Sequence, residues 1–314
     1  MKLILAVSGG VDSMALLAMY AHADIIVVHI DHGTRKSSAE DADFVHQKCQ
    51  ELGVKFYETK LELGEGVSEE LARKKRYEFL KTIQEKEGGT LCTAHHLDDV
   101  LESITINLIR GTGWRGLTPF YGDELVRPFI ISKMWKCDVL KFAGRHAIHY
   151  RQDPTNYETN YLRNRVREKM TELDETVRVD IIDLFEKQNK LREKIEKLVA
   201  ELAKQTIVGK NFHKKELFLR ADEKVAIEIL REICLMHDYS LTRKQLEDFL
   251  TAIKTYAPHK KFNLPKNRFV TILKNYFEFK WTTILLWFSS EAAGTAVSWV
   301  VDAEPRFIHS IRID

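Results

Sequence analysis

The chain has 314 residues, 44% of them hydrophobic, with 48 basic and 46 acidic side chains for a net charge of +2. That is the composition of a soluble globular protein with room for two domains, and any polyanion site must come from local clustering. The Thr282–Phe288 run is too short to cross a bilayer, no signal peptide precedes the first strand, and four scattered cysteines without metal-ligand spacing fit a reducing cytoplasm.

Leu3 to Val7 reads as a strand, followed by Ser8-Gly9-Gly10-Val11-Asp12-Ser13 and a helical pattern from Met14 to Met19. Strand, glycine turn and helix N-terminus in that order form a phosphate cradle. The glycines admit positive φ, and the unpaired N–H groups and dipole of the first helical turn favour an anion. Asp12 and Ser13 add a metal or phosphate contact. No Gly-Lys-Ser/Thr follows, so this is not a Walker A loop, and it is not a G-x-G-x-x-G fingerprint. Two glycines after a strand are often only a turn; the whole hexapeptide in the first strand–helix unit points to a nucleotide phosphate.

Ile25 to Ile30 reads as a second strand, Ala39 to Leu52 as a helix and Lys55 to Glu58 as a third strand. A long helix from Ser68 to Glu87, with Ser68 as N-cap, leads to a fourth strand over Thr90–Ala94 and a helix over Asp98–Ile109. Strands alternating with helices predict an α/β fold with a parallel, doubly wound sheet. Ligands of such sheets bind beyond the carboxyl ends of the strands. Ser8, His29 to His32 and Ala94 to His96 all fall there.

The helix after the fourth strand places Asp99, Glu102, Ile106 and Arg110 on one face. Two carboxylates one turn apart repel, a cost surface helices rarely accept without a partner. An acidic first turn also complements a helix dipole, which is the simpler reading of either Asp alone. Together with the His95-His96 pair at a sheet end, the acids suit a cationic substrate, a Mg²⁺ ion, or both. His29 and Ile30 open a polar turn through Arg35 against which an adenine ring can lie, or which is simply a turn about Gly33. Arg110 to Leu117 holds three glycines and reads as a mobile lid carrying Arg115, or as a passive connector.

Asp153 to Asn156, then Tyr161-Leu162-Arg163-Asn164-Arg165-Val166-Arg167, is a turn feeding a basic helix start that suits a polyphosphate backbone, although basic clusters are usually a solvated face. From Leu173 to Gln205 apolar residues recur in steps of four and three: Val177, Ile181, Leu184, Leu191, Ile195, Leu198 and Leu202, with Gln188 interrupting. That is a long helix packed on a neighbour or on a second copy of the chain, so a homodimer is open. Thr206 to Asn211 ends it. Two helices, Asp222–His237 and Thr242–Lys254, precede a hairpin of Arg268–Leu273 and Tyr276–Phe279. Basic and aromatic mixtures recur at His213-Lys214-Lys215, Lys260-Lys261-Phe262 and Lys266 to Phe269. The expected domains are residues 1–170, a helical linker over 171–210, and a small α+β domain over 211–314.

The hexapeptide resembles the PP-loop of N-type ATP pyrophosphatases, which cleave ATP between the α- and β-phosphates. Ser8–Ser13, His29–Arg35, Thr93–Glu102, Arg110–Leu117, Arg127-Pro128-Phe129 and Asp153–Arg167 together resemble the tRNA(Ile)-lysidine synthetase family, in the family's order. Trp114 departs from the smaller aliphatic residue expected there. The resemblance implies ATP-dependent adenylation of the wobble cytidine of a tRNA(Ile) with a CAU anticodon, then attack by free lysine. It implies ATP contacts at Ser8, Gly9, Gly10, Val11, Asp12, Ser13, His29, Ile30 and His95, and Mg²⁺ at Asp12. Asp12, Asp99, Glu102 and Arg110 are then catalytic, with Asp99 and Glu102 receiving lysine. Arg115, Arg163, Asn164, Arg165, Arg167, Lys214 and Lys261 would contact tRNA. The alternatives are another PP-loop enzyme, such as a tRNA thiolase, whose usual cysteine set is lacking here, or a nucleotide-binding regulatory module without chemistry.

Overall fold

A computed structural model of the chain describes residues 2–31, 38–61, 69–122, 124–151, 162–265, 268–280, 284–286 and 299–301. The chain divides into two compact units, Met1–Arg192 and Glu193–Asp314.

The first unit is built on four parallel strands, β1 (Leu3–Ala6), β2 (Ile25–Asp31), β3 (Lys55–Lys60) and β4 (Thr90–Cys92), in the order β3-β2-β1-β4. Strand β1 and the Ile25–Val28 part of β2 are continuous apolar runs because helices cover both faces of a parallel sheet. Leu3, Leu5 and Val7 pack on one face against α1 (Val11–Met19), α2 (Ser38–Leu52), α5 (Pro128–Ile131) and α6 (Lys136–Arg145), through Met14, Val45, Phe129 and Val139. Ile4, Ile26 and Val28 face Leu80 and Ile83 of α3 (Glu69–Glu87). Strand β3 forms one edge and carries Lys55, Glu58 and Lys60, charges that discourage edge-to-edge pairing.

A third core joins α4 (Leu97–Ile109) to α7 (Leu162–Thr171) and the first turns of α8 (Glu175–Thr206), through Leu97, Val100, Leu101, Ile104, Val166, Met170, Ile182 and Phe185. The strand order reverses between β1 and β4, so the crevice of this sheet opens beyond their carboxyl ends.

The second unit contains an antiparallel sheet in the order β5-β6-β9-β8-β7. Its strands are β5 (Ile207–Gly209), β6 (Phe212–Lys214), β7 (Lys261–Leu264), β8 (Arg268–Ile272) and β9 (Tyr276–Lys280). With α9 (Glu216–Arg220), α10 (Glu223–Met236) and α11 (Arg243–Thr255) they enclose Phe218, Ile229, Leu230, Phe249, Phe277 and Phe279. Asp222 caps α10 by accepting Lys224 N–H at 2.9 Å, and Thr242 with Gln245 forms a capping box on α11. A separate antiparallel pair joins β10 (Ile284–Leu286) and β11 (Trp299–Val301).

The expected α/β class, the helix connecting to the C-terminal part and the α+β C-terminal fold are all present. Helix α1 starts three residues earlier than its apolar pattern, so Val11, Asp12 and Ser13 belong to its first turn. Pattern reading gives no element between Leu117 and Asp153, yet α5 and α6 lie there; only Val139 and Ala143 of α6 are buried, too few to leave a periodic trace. The heptad pattern of α8 contains two rows, of which one meets a core. Ile181 and Phe185 pack in the first unit and Ile195 and Leu202 in the second, while Val177, Leu184, Leu191 and Leu198 are 41–59% exposed.

Candidate functional site

The chain leaves β1 through Val7, whose N–H bonds to Val28 O at 2.9 Å, and turns at Gly9 with φ +87°. That left-handed conformation, rather than lack of space, calls for glycine: a Cβ there would come no closer than 3.5 Å to Val45. Gly10 is the extended N-cap of α1. Ser13 Oγ donates to Gly10 O at 2.9 Å and accepts Ser8 N–H at 3.1 Å, so it stiffens the turn from inside. Arg151 N–H donates to Gly9 O at 3.0 Å and closes the turn from outside. The first N–H groups of α1 have no acceptor within the helix and define the anion cradle.

Across the crevice, β4 runs into Thr93-Ala94-His95-His96 and α4. Asp99, the third residue of α4, reaches back to accept His96 N–H at 2.9 Å, which fixes the helix start. Asp98 instead accepts Lys136 N–H at 2.7 Å and pairs with Arg178 of α8. Lys136 then extends to the cradle, where its Nζ lies 2.6 and 2.7 Å from the two carboxylate oxygens of Asp12. His96 sits among three carboxylates, 3.8 Å from Asp12, 3.5 Å from Asp98 and 3.5 Å from Asp99.

The two histidines are driven apart. Burial pushes His95 down to about 4, against a weaker pull from Asp99 and with help from Arg127, Arg73 and Arg163. Burial also opposes charge on His96, but the Asp98 contact together with Asp99 and Asp12 outweighs it and raises the pKa. At neutral pH His95 is therefore a neutral hydrogen-bonding ring. Its Nδ1 lies 2.8 Å from Thr93 Oγ1, and its ring packs 5.1 Å from Phe120. Burial raises the pKa of Asp98, but His96, the Lys136 N–H and Arg178 together bring it below the usual carboxylate range.

Glu102, one turn beyond Asp99, is 1% exposed and receives Nε–H from both Arg163 and Arg167 of α7. Arg167 Nη2 also lies 3.5 Å from Asp99. The acidic pair thus faces inward, compensated by guanidiniums that the sequence suggested for tRNA. Arg165, on the same helix, is exposed, and Asn164 lies between them. Arg110 is the exposed C-cap of α4, about 16 Å along the axis from Asp99.

His29 is 3% exposed and donates Nδ1–H to Val7 O at 2.9 Å, tying β2 to the base of the cradle; Ile30 follows it, half-buried. The predicted turn from His32 to Arg35 and the segment Asp153–Tyr161 lie outside the described residues. Arg115 lies in the short helical turn Trp114–Leu117, with its guanidinium 4.4 Å from the Trp114 ring. In the second unit Lys214 is exposed on β6, and Lys261 is exposed on β7 with Nζ 4.2 Å from the Phe269 ring. The neighbours of Lys214 turn inward: His213 is 1% and Lys215 7% exposed.

Lys136 and Arg178 complete the site without a motif of their own, beside His96 and Asp98 of the predicted Thr93–Glu102 segment. Lys136 stands alone between Trp135 and Cys137, and nothing in the sequence shows that it crosses to Asp12.

No group of three or more His, Cys, Asp or Glu side chains able to hold a metal occurs among the described residues. One carboxylate at a phosphate cradle still fits Mg²⁺, which is commonly held by one or two carboxylates together with substrate phosphates. Asp12 is that carboxylate. Among the described residues no helix is long and apolar enough to cross a membrane.

A family model described as a PP-loop domain matches residues 1–173. A tRNA(Ile)-lysidine synthase from Mycoplasmopsis pulmonis is 33% identical over 288 residues, covering 87% of this chain and 97% of that one. One from Enterococcus faecalis is 41% identical over 186 residues, covering 54% of this chain and 40% of that protein. One from Thermotoga maritima is 32% identical over 223 residues, covering 65% and 53%. The chain thus spans about half the length of the last two relatives. Among solved structures, a U34-tRNA thiolase from Methanococcus maripaludis superposes with a TM-score of 0.51 at 20% identity, covering 60% of this chain and 72% of that one, a likeness of fold alone.

Proposed function

Since the chain belongs to the PP-loop domain family and, within it, to the tRNA(Ile)-lysidine synthases, we propose that it converts the wobble cytidine of a CAU-anticodon tRNA(Ile) to lysidine. The observation that carries this reading is the juxtaposition, across the crevice between β1 and β4, of an anion cradle and a buried pair of carboxylates. One suits ATP and the other an ammonium group.

In the first half-reaction the cytidine carbonyl oxygen at position 2 attacks the α-phosphorus of ATP and pyrophosphate leaves. The first-turn N–H groups of α1, with Gly9 and Gly10 allowing close approach, oppose the charge that builds on the departing phosphates. Asp12 would hold Mg²⁺, whose chemistry here is to neutralise phosphate oxygens. His95 stays neutral and offers a hydrogen bond without competing for the phosphates. In the second half-reaction the ε-amine of free lysine attacks carbon 2 of the activated base and AMP leaves. Lysine arrives as an ammonium and must lose a proton first. Asp99 and Glu102 supply the negative charge that orients it, and one of the two carboxylates takes that proton. Arg165, Lys214 and Lys261 are exposed cations suited to the tRNA backbone, and the protein acts in the cytoplasm.

The test is pyrophosphate release from ATP with lysine and tRNA(Ile) added separately and together. The expected result is pyrophosphate release that requires the tRNA and AMP release that additionally requires lysine. Release that depends on a sulfur donor, or that ignores the wobble cytidine, would overturn the proposal in favour of a thiolase.

A further inference from the structure

The glycine hexapeptide contains no cationic residue, although it is read as receiving a triphosphate. In phosphate loops of the Gly-Lys-Ser/Thr type the loop itself supplies a lysine. Here a lysine reaches the same place from 124 residues further along the chain: Lys136, forked on Asp12 at 2.6 and 2.7 Å.

Its position is set by an unusual concentration of restraints. Val126 pairs with the end of β4 through Val126 N–H to Leu91 O at 2.8 Å and Thr93 N–H to Val126 O at 3.0 Å. Leu97 N–H then binds Met134 O at 3.0 Å, Lys136 N–H binds Asp98, and Trp135 N–H binds Asp138 Oδ2 at 3.0 Å. The backbone of Lys136 is thereby bolted to the start of α4, while its side chain keeps 37% exposure and a flexible stem. An ion pair with that much solvent contributes little to stability, roughly 0–1 kcal/mol. The restraints aim an ammonium group at the mouth of the cradle.

We infer that Lys136 is a phosphate-binding residue of the ATP site, held ready on Asp12 and passing to the phosphate oxygens when the nucleotide enters. This rests on the ATP reading above. Without it, Asp12 would set a carboxylate at the helix N-terminus where the phosphates arrive, opposed there by His96 at 3.8 Å. With it, the entering phosphates meet a cation, and Asp12 is released for Mg²⁺.

The experiment is equilibrium binding of ATP and AMP to wild type, Lys136→Met and Lys136→Arg, and to Lys136→Met in an Asp12→Asn background. The expected result is a loss of about 10- to 100-fold in ATP affinity for Lys136→Met, the range of one charge-assisted hydrogen bond. AMP affinity should change less than about twofold, and Lys136→Arg should recover most of the loss. The loss should persist with Asp12→Asn, because the contact is to phosphate. Equal weakening of ATP and AMP, or a loss that vanishes in the Asp12→Asn background, would show that Lys136 only holds Asp12 in place. Unchanged ATP affinity would also overturn the inference. Failure of the wild-type chain to bind ATP at all would instead refute the proposed function.

Discussion

Replacing Glu102 by Gln tests the acidic pair by removing one charge and keeping the shape. The carboxylate is 1% exposed and takes hydrogen bonds from two guanidiniums. Each hydrogen bond to a charged group is worth about 1.5–3 kcal/mol, an upper bound of roughly 3–6 for the two. Arg163 and Arg167 are 41% and 45% exposed, so both can turn toward water and recover hydration. The net loss is therefore about 2–3 kcal/mol, well above a surface pair. For a unit of this size that lowers Tm by about 4–12 °C. Thermal unfolding, followed by circular dichroism, measures it. The same variant separates the half-reactions: tRNA-dependent pyrophosphate release should continue, while the lysine concentration needed for AMP release should rise at least tenfold, about 1.4 kcal/mol of lost ammonium binding. A Tm within about 2 °C of wild type would refute the energetic argument. Unchanged lysine dependence would remove Glu102 from the lysine site.

Gly9→Ala, at φ +87°, should cost about 1–2 kcal/mol from backbone strain alone, read as a lower Tm, since its surroundings leave room for the methyl group. Acid should weaken the second unit. His213 is pushed down to about 4 and His237 is also lowered, both chiefly by burial, so the unfolded chain binds protons that the folded unit refuses. Stability is then intact above about pH 6.5 and falls on the order of 2–3 kcal/mol as the pH drops toward 4, which urea unfolding at several pH values will reveal as a sloping midpoint. A flat profile there would contradict the buried, neutral pair. Arg165→Ala should weaken tRNA binding and reduce the salt slope by about one, measured by filter binding at several salt concentrations; an unaltered slope would exclude a phosphate contact.

The cradle was legible because strand, paired glycines and helix start are contiguous, and each carries a local signal. The same holds for Asp99 and Glu102, one helical turn apart behind a strand end. Their surroundings were not legible. Arg163 and Arg167 announced themselves as a cationic cluster, but sequence cannot say whether a guanidinium meets a phosphate or a carboxylate of its own chain; α4 and α7 had to be packed before Glu102 appeared beside them. Lys136 and Asp98 are joined across 38 residues by a single backbone N–H, which leaves no periodicity to read. The α8 seam was legible as a long packed helix but not in its partners. Steps of three and four recur both where a helix meets a partner along its length and where it packs on two cores in turn, and in the single chain Leu184, Leu191 and Leu198 are left exposed.

Arg178 gives the first turns of α8 a meaning beyond length. It reaches Asp98 and lies 4.5 Å over the Trp135 ring, while Ile182 and Phe185 close the core beneath α4 and α7. A catalytic fragment cut where the PP-loop family match stops, at residue 173, would lose this brace and expose the underside of α4 to water. The smallest self-sufficient piece should run on to about Arg192, because the PP-loop family match ends short of the boundary drawn by packing.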